Sequence, residues 1–192
     1  MSMSKNKGNN FERDVASNLS DIFGMDFSRT LSSGAYIGGK NQHRKYKLSG
    51  SMVNASLGDI CTPDDWNFVI ECKAYKDMSF HNLLRGYDSQ INGWLNEVLF
   101  DAEDGDHHML VFKINLVGVY FALPYVEYYH KRLVEMPVAH ALYTHYYGEQ
   151  LEKMRRYIIL DWNNLYGTYN DEFPEVQEVL KTYIKTLATQ ET

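Results

Sequence analysis

Phe68-Val-Ile-Glu-Cys-Lys-Ala, residues 68–74, is the stretch that decides how the chain folds. Side chains alternate between the two faces of a strand. One face takes Phe68, Ile70, Cys72 and Ala74, all apolar or small and suited to a core. The other takes Val69, Glu71 and Lys73, so a carboxylate and an ammonium stand side by side. A strand over about 66–75 follows. Just upstream, residues 56–61 read as a second strand carrying Gly58-Asp59, with Ile60 pointing the opposite way. Thr62-Pro63-Asp64-Asp65 is a turn sequence between the two, and Asp64 and Asp65 are read as residues of its tip. A hairpin of these strands sets Asp59 beside Glu71.

Working outward, residues 8–23 carry Phe11, Val15, Leu19, Ile22 and Phe23 at helical spacing. Glu12 lies at the edge of that stripe. After Gly24, the small residues around Arg29-Thr-Leu-Ser-Ser-Gly-Ala-Tyr-Ile-Gly-Gly predict a short strand entering a glycine-rich loop. A second helix is expected over 79–100, its apolar face built from Leu83, Leu84, Tyr87, Ile91, Trp94, Leu95 and Val98. Strands at 109–115 and 117–123 complete an α/β plan of helix, strands, helix, strands. The division expected is a core over 1–124, with a basic loop at about 35–56, and an α-rich extension over 125–192 packed on it. Pro174 and the stripe Val176, Leu180, Tyr183, Leu187 predict a final helix.

The net charge of −6 argues against a protein that coats nucleic acid over its whole surface. The distribution is uneven: residues 1–60 hold 8 basic and 5 acidic groups, a net +3 against −9 for the rest. Arg29, Lys40, Arg44, Lys45 and Lys47 fall between Asp26 and Asp59 with no acid among them. Such a strip suits a phosphate backbone gripped at one place; it also suits a solvated loop. Two cysteines do not make a disulfide scaffold. No apolar run is long enough to span a bilayer and the polar start is no signal peptide, so a cytoplasmic protein without a membrane is expected.

Two carboxylates on neighbouring strands can hold a hard divalent cation through oxygen, leaving positions for water and phosphate. Phosphodiester hydrolysis needs that, and a lysine alongside can orient or deprotonate the attacking water, or neutralise the phosphate. Lys73 beside a metal has a route to a lowered pKa. Alone, Glu-x-Lys is commonplace on a wet strand face, and a lone aspartate is more often a turn residue. The combination is what points to chemistry. His107-His108, adjacent on a loop, do not chelate together readily. His140, His145 and the C-terminal tyrosines are read as packing residues.

The order Lys7-Gly8-x-x-x-Glu12-Arg13, Arg29-Thr-Leu-Ser-Ser-Gly-Ala, Gly58-Asp59-Ile60, Ile70-Glu71-Cys72-Lys73, then Gln90 resembles the Holliday-junction resolvases of archaea and their viral relatives, within the PD-(D/E)xK nuclease superfamily. The resemblance covers residues 5–124 and implies a restriction-endonuclease-like core: helix, central mixed sheet, flanking helix, two further strands. It implies Asp59 and Glu71 as metal ligands with Lys73 beside them, and the backbone carbonyl of Cys72 as a further ligand. Glu12 matches a carboxylate beside the metal, and Ser32 or Ser33 a serine near the scissile phosphate. Gln90 matches a glutamine on the following helix. Arg13, Arg29, Ser32, Lys40, Arg44, Lys45 and Lys47 become candidate DNA contacts. Gly58 stands where the family has a proline, a tolerated change, and 125–192 has no counterpart.

The function expected is a Mg²⁺-dependent endodeoxyribonuclease (Mn²⁺ substituting) that acts on branched DNA as a homodimer, two sites cutting two strands, in the host-cell cytoplasm if viral. The alternatives are a related nuclease with a restriction-like, repair or flap target, and a non-catalytic DNA-binding module on the same fold.

Overall fold

The computed structural model describes residues 3–30, 57–79, 81–84, 88–102, 107–167 and 172–189. Helix α1 (Met3–Phe23) lays Phe11, Val15, Leu19, Ile22 and Phe23 against the sheet, the stripe expected from their spacing, and begins earlier than residue 8. Strands β1 (Ser28–Arg29) and β2 (Ile60–Cys61) pair antiparallel, Ser28 opposite Cys61 and Arg29 opposite Ile60. Of the strand expected over 56–61, only this short piece forms a ladder.

The main sheet has the order β3-β4-β5-β7-β6. Strand β3 (Val69–Tyr75) runs parallel to β4 (His108–Ile114), Glu71 opposite Leu110 and Lys73 opposite Phe112. A parallel pair needs a crossover, and the connection supplies the short helix α2 (His81–Leu84) and then α3 (Ser89–Asp101). The helix expected over 79–100 is therefore broken. Asp88 is extended (φ −138°, ψ 121°), and its carboxylate accepts from Gln90 N and Ile91 N, so it starts a new helix as an N-cap. Ile91, Trp94, Leu95 and Val98 face the sheet as expected. The side chains of Leu83, Leu84 and Tyr87 lie outside the described residues.

Strand β5 (Gly118–Pro124) returns antiparallel to β4. Beyond it, α4 (Glu127–Val134), β6 (His140–Tyr147), β7 (Lys153–Asp161), a 3₁₀ turn (Trp162–Asn164) and α5 (Pro174–Thr189) follow. The segment read as α-rich thus also carries two strands. They join the main sheet, β7 pairing with β5 from Tyr120 opposite Asp161 to Pro124 opposite Tyr157. Tyr129, Tyr143, Tyr157 and Tyr183 are buried, in line with a reading as packing residues, whereas Tyr128, Tyr146 and Tyr166 are exposed and depart from it.

Three layers result. On one face α1 and α5 cover Ile70, Cys72, Met109, Val111, Phe121, Leu123, Ile158 and Leu160. On the other, α3 covers Val69, Leu110, Phe112, Ala122, Tyr157 and Ile159. This division bears out the alternation read along 68–73, with Ala74 exposed instead of buried in the core, and it leaves Glu71 and Lys73 on the α3 side. Asp88 ties that helix to the far edge of the sheet: its N–H donates to Tyr143 Oη at 2.9 Å, and Asn82 Nδ2 donates to its Oδ2 at 3.2 Å. Asp88→Ala is expected to lower unfolding stability by about 1–2 kcal/mol through loss of the cap, read as a shift in the urea midpoint.

Candidate active site

Gly58 has φ +64°, and a Cβ there would lie 2.6 Å from the Ile70 carbonyl oxygen. Glycine alone adopts this left-handed turn readily and without the clash. A proline, held near φ −65°, could not make it. The glycine is thus required here, which corrects its reading as a neutral replacement. The turn brings Asp59 hard against β3. Its N–H donates to Ile70 O at 2.8 Å, its Oδ2 accepts from Cys72 N at 2.9 Å, and its carbonyl accepts from Thr30 N at 2.9 Å.

In an extended strand the N–H and C=O of one residue leave on the same edge. The Cys72 carbonyl therefore faces the Asp59 side of β3, as its N–H does. Glu71, on the α3 face, is nearly buried, with 12% of its side chain exposed. Lys73 Nζ lies 2.7 Å from Glu71 Oε1 and 2.5 Å from Glu97 Oε2, the latter carried on α3. Burial and then the Asp59 charge raise the Glu71 pKa to about 8 against the opposing pull of Lys73. Burial works to lower the Lys73 pKa, but the Glu71 and Glu97 carboxylates outweigh it and hold the amine firmly protonated. The chain's own carboxylates thus stabilise the ammonium when no cation is bound.

Glu12 forms an ion pair with Arg29 Nε, and Arg29 Nη2 donates to Asn9 Oδ1 at 3.0 Å. Burial, Asp59, Glu71 and then Glu12 push the Cys72 thiol up, which sets the Glu12 carboxylate near the α1 side of β3. Arg29 is thereby engaged with an acid beside the site rather than pointing to solvent. Arg13 is exposed and donates to Asn10 Oδ1 at 3.3 Å. Gln90 lies in the first turn of α3, about 10 Å along the helix from Glu97 at 1.5 Å per residue. Asp101, at the opposite end of α3, is the acid of that helix whose charge reaches Glu71. Ser32, Ser33, Lys40, Arg44, Lys45, Lys47 and Tyr87 lie outside the described residues.

Glu97 escaped the sequence reading. Its signal was present: an acid between Trp94 and Val98, on a helix whose apolar face had been assigned. What the sequence withheld was the direction of α3 across β3. His107 and His108 turn to separate partners, Leu187 O at 2.6 Å and Tyr157 Oη at 3.0 Å, as expected of neighbours that do not chelate together.

The donors gathered here are oxygens, the set that hard divalent cations prefer. Among the described residues no three His, Cys, Asp or Glu side chains form a metal cluster. Asp59, Glu71 and the Cys72 carbonyl are oxygen donors of the kind a hard divalent cation takes, with water or substrate filling the other positions.

A helix, a turn carrying an aspartate against a Glu-x-Lys strand, a crossover helix and a mixed sheet define a restriction-endonuclease-like fold and the PD-(D/E)xK nuclease superfamily. The chain belongs to the family described as "Phage putative PDDEXK endonuclease", whose model matches residues 3–174. That match takes in residues 125–174, where no counterpart was recognised from sequence. No curated protein and no solved structure matches the chain.

Two outcomes follow from this geometry. Because the folded pKa of Glu71 exceeds its ordinary value of 4.5, its contribution to stability is fullest below about pH 4.5 and is lost as the pH rises through about 8. Metal-free Glu71→Gln should show a flatter fall of Tm over that window than wild type; parallel curves would contradict the assignment. Gly58→Ala should cost on the order of 1–3 kcal/mol and loosen the Cys72 amide, read as faster hydrogen exchange at that N–H.

Proposed function

We propose that the protein is a divalent-cation-dependent DNA endonuclease, selective for branched DNA and acting on four-way junctions. The observation that carries the reading is Asp59 and the Cys72 carbonyl at one edge of β3, with Glu71 next along the strand and the Lys73 ammonium against it. Asp59, Glu71 and the Cys72 carbonyl would hold Mg²⁺, with Mn²⁺ as a substitute. When bound, the cation would supply Lewis-acid stabilisation of charge developing on the phosphate.

The chain's own groups divide the remaining work. Lys73, beside Glu71, would orient or deprotonate the attacking water, or neutralise charge on the phosphate. Glu97 keeps that ammonium in place from the helix side. Glu12, fixed by Arg29, adds a carboxylate from α1. Arg13 and the basic segment with Lys40, Arg44, Lys45 and Lys47 would hold the DNA backbone, with Ser32 or Ser33 near the scissile phosphate. Gln90 would touch substrate farther along α3.

Junction selectivity is supported by the resemblance of the motif order to Holliday-junction resolvases. A homodimer would give two sites for two strands. No helix among the described residues is long and apolar enough to cross a membrane, and work in the cytoplasm of an infected cell accords with a phage family. A restriction-like, repair or flap target is the second reading. A non-catalytic binding module is disfavoured, since it has no need of the buried acids beside Lys73.

Cleavage of a synthetic four-way junction, a flap, a linear duplex and a single strand, with and without Mg²⁺, tests these readings together. Preferential junction cutting is expected, and Asp59→Asn, Glu71→Gln and Lys73→Ala should each lower it about 100-fold or more while the fold is retained. Equal rates on all four substrates would remove the resolvase reading. Full activity of any one variant would count against the site.

A further inference from the structure

At the far end of β3 and β4 the sheet pattern breaks. Met109 and Val111, on the α1 side of β4, are wholly buried, but the next residue of that face is Lys113, which is exposed. Strand β4 is interior to the sheet, flanked by β3 and β5. A lysine on the core face of an interior strand, in line with buried aliphatic residues, has no packing reason to be there. Its in-register neighbours are Ala74 on β3 and Val119 on β5. The small Ala74 leaves the floor low beside it.

A groove of about 690 Å³ opens at this place, between the first half of α1 and the ends of the two parallel strands. Asn10, Asp14, Ala74, Lys76, Lys113 and Asn115 line it. The volume lies within the range of small-molecule and cofactor sites. Lys113 Nζ stands 5.9 Å from the Phe11 ring centre, and no ion pair of Lys113 or Lys76 is found among the described residues. Asp14 contributes one negative charge, so the groove carries a net positive charge with two side-chain amides at its rim. Cations with amides alongside are the chemistry of contacts to a sugar–phosphate backbone.

Ala74 lies three residues beyond Glu71 on β3 and on the opposite face of the sheet. Strand β3 is at the sheet edge, so the groove and the acids lie to either side of one edge. We propose that this groove is a separate nucleic-acid contact, in which Lys113 and Lys76 hold the sugar–phosphate backbone of the substrate away from the bond that is cut. The inference rests on the nuclease reading above and adds a contact outside the basic segment and the motif residues.

The test is binding of a fluorescent four-way junction and of a linear duplex in EDTA, so that no cutting occurs, over a range of salt. Lys113→Ala should weaken binding about five- to tenfold at low salt and reduce the salt slope by about 1. Ala74→Phe fills the floor without changing charge and should weaken binding as well. Lys131→Ala removes one exposed positive charge on α4 and should change affinity less than about twofold. Melting temperatures near that of wild type confirm that both groove variants are folded; both sites are exposed. Wild-type affinity and slope in both Lys113→Ala and Ala74→Phe, with DNA still bound and cut by the parent, overturn the groove alone. A parent that neither binds nor cuts DNA overturns the groove and the nuclease reading together.

Discussion

One residue joins two sheets. Asp59 bonds to β3 twice, through its own N–H to Ile70 O and through its carboxylate to Cys72 N. The β1–β2 pair is otherwise a separate two-stranded unit. A hydrogen bond to an ionised acceptor contributes about 1.5–3 kcal/mol, more than a neutral one. The same contact aligns the acid with the strand edge from which the Cys72 carbonyl emerges. Position and chemistry are therefore set by a single arrangement, and Gly58 is what allows it. Any larger residue would press on the Ile70 carbonyl that Asp59 must reach.

The second constraint is electrostatic. Burying Glu71 near Asp59 favours its protonated form, while Lys73 favours the ionised one. Glu97 engages the same ammonium from the helix side. The lysine thus bridges a buried acid on the strand and an exposed acid on the helix. A buried charge left alone is expensive, and the pair of acids explains how an ammonium persists in so sheltered a position.

Much of this was readable from the chain, for reasons that differ by element. Alternation along 68–74 is a local property with period two, so the two faces of β3 followed from the residues themselves. The stripes of α1 and α5 were legible in the same way. The break at Asp88 was missed because apolar spacing continued across it, although an aspartate followed by a helical run is a capping signal. The two strands after Pro124 were obscured because tyrosine and histidine in β6 give no clean apolar alternation. The main-chain geometry at Gly58, the partner of Arg29 and the approach of Glu97 depend on how elements dock, and no single segment encodes them.

Strand β5 shows what docking of this kind implies for the history of the chain. Both of its edges are occupied, one by β4 and the other by β7 from beyond residue 150. No seam separates an older catalytic half from a later addition. Exchange of material between genomes at Pro124 would sever a continuous hydrogen-bonded ladder, whereas exchange within the connections would leave it whole. The sheet from β3 to β6 therefore stands as one hydrogen-bonded piece, and changes of length are accommodated in the connections rather than within it.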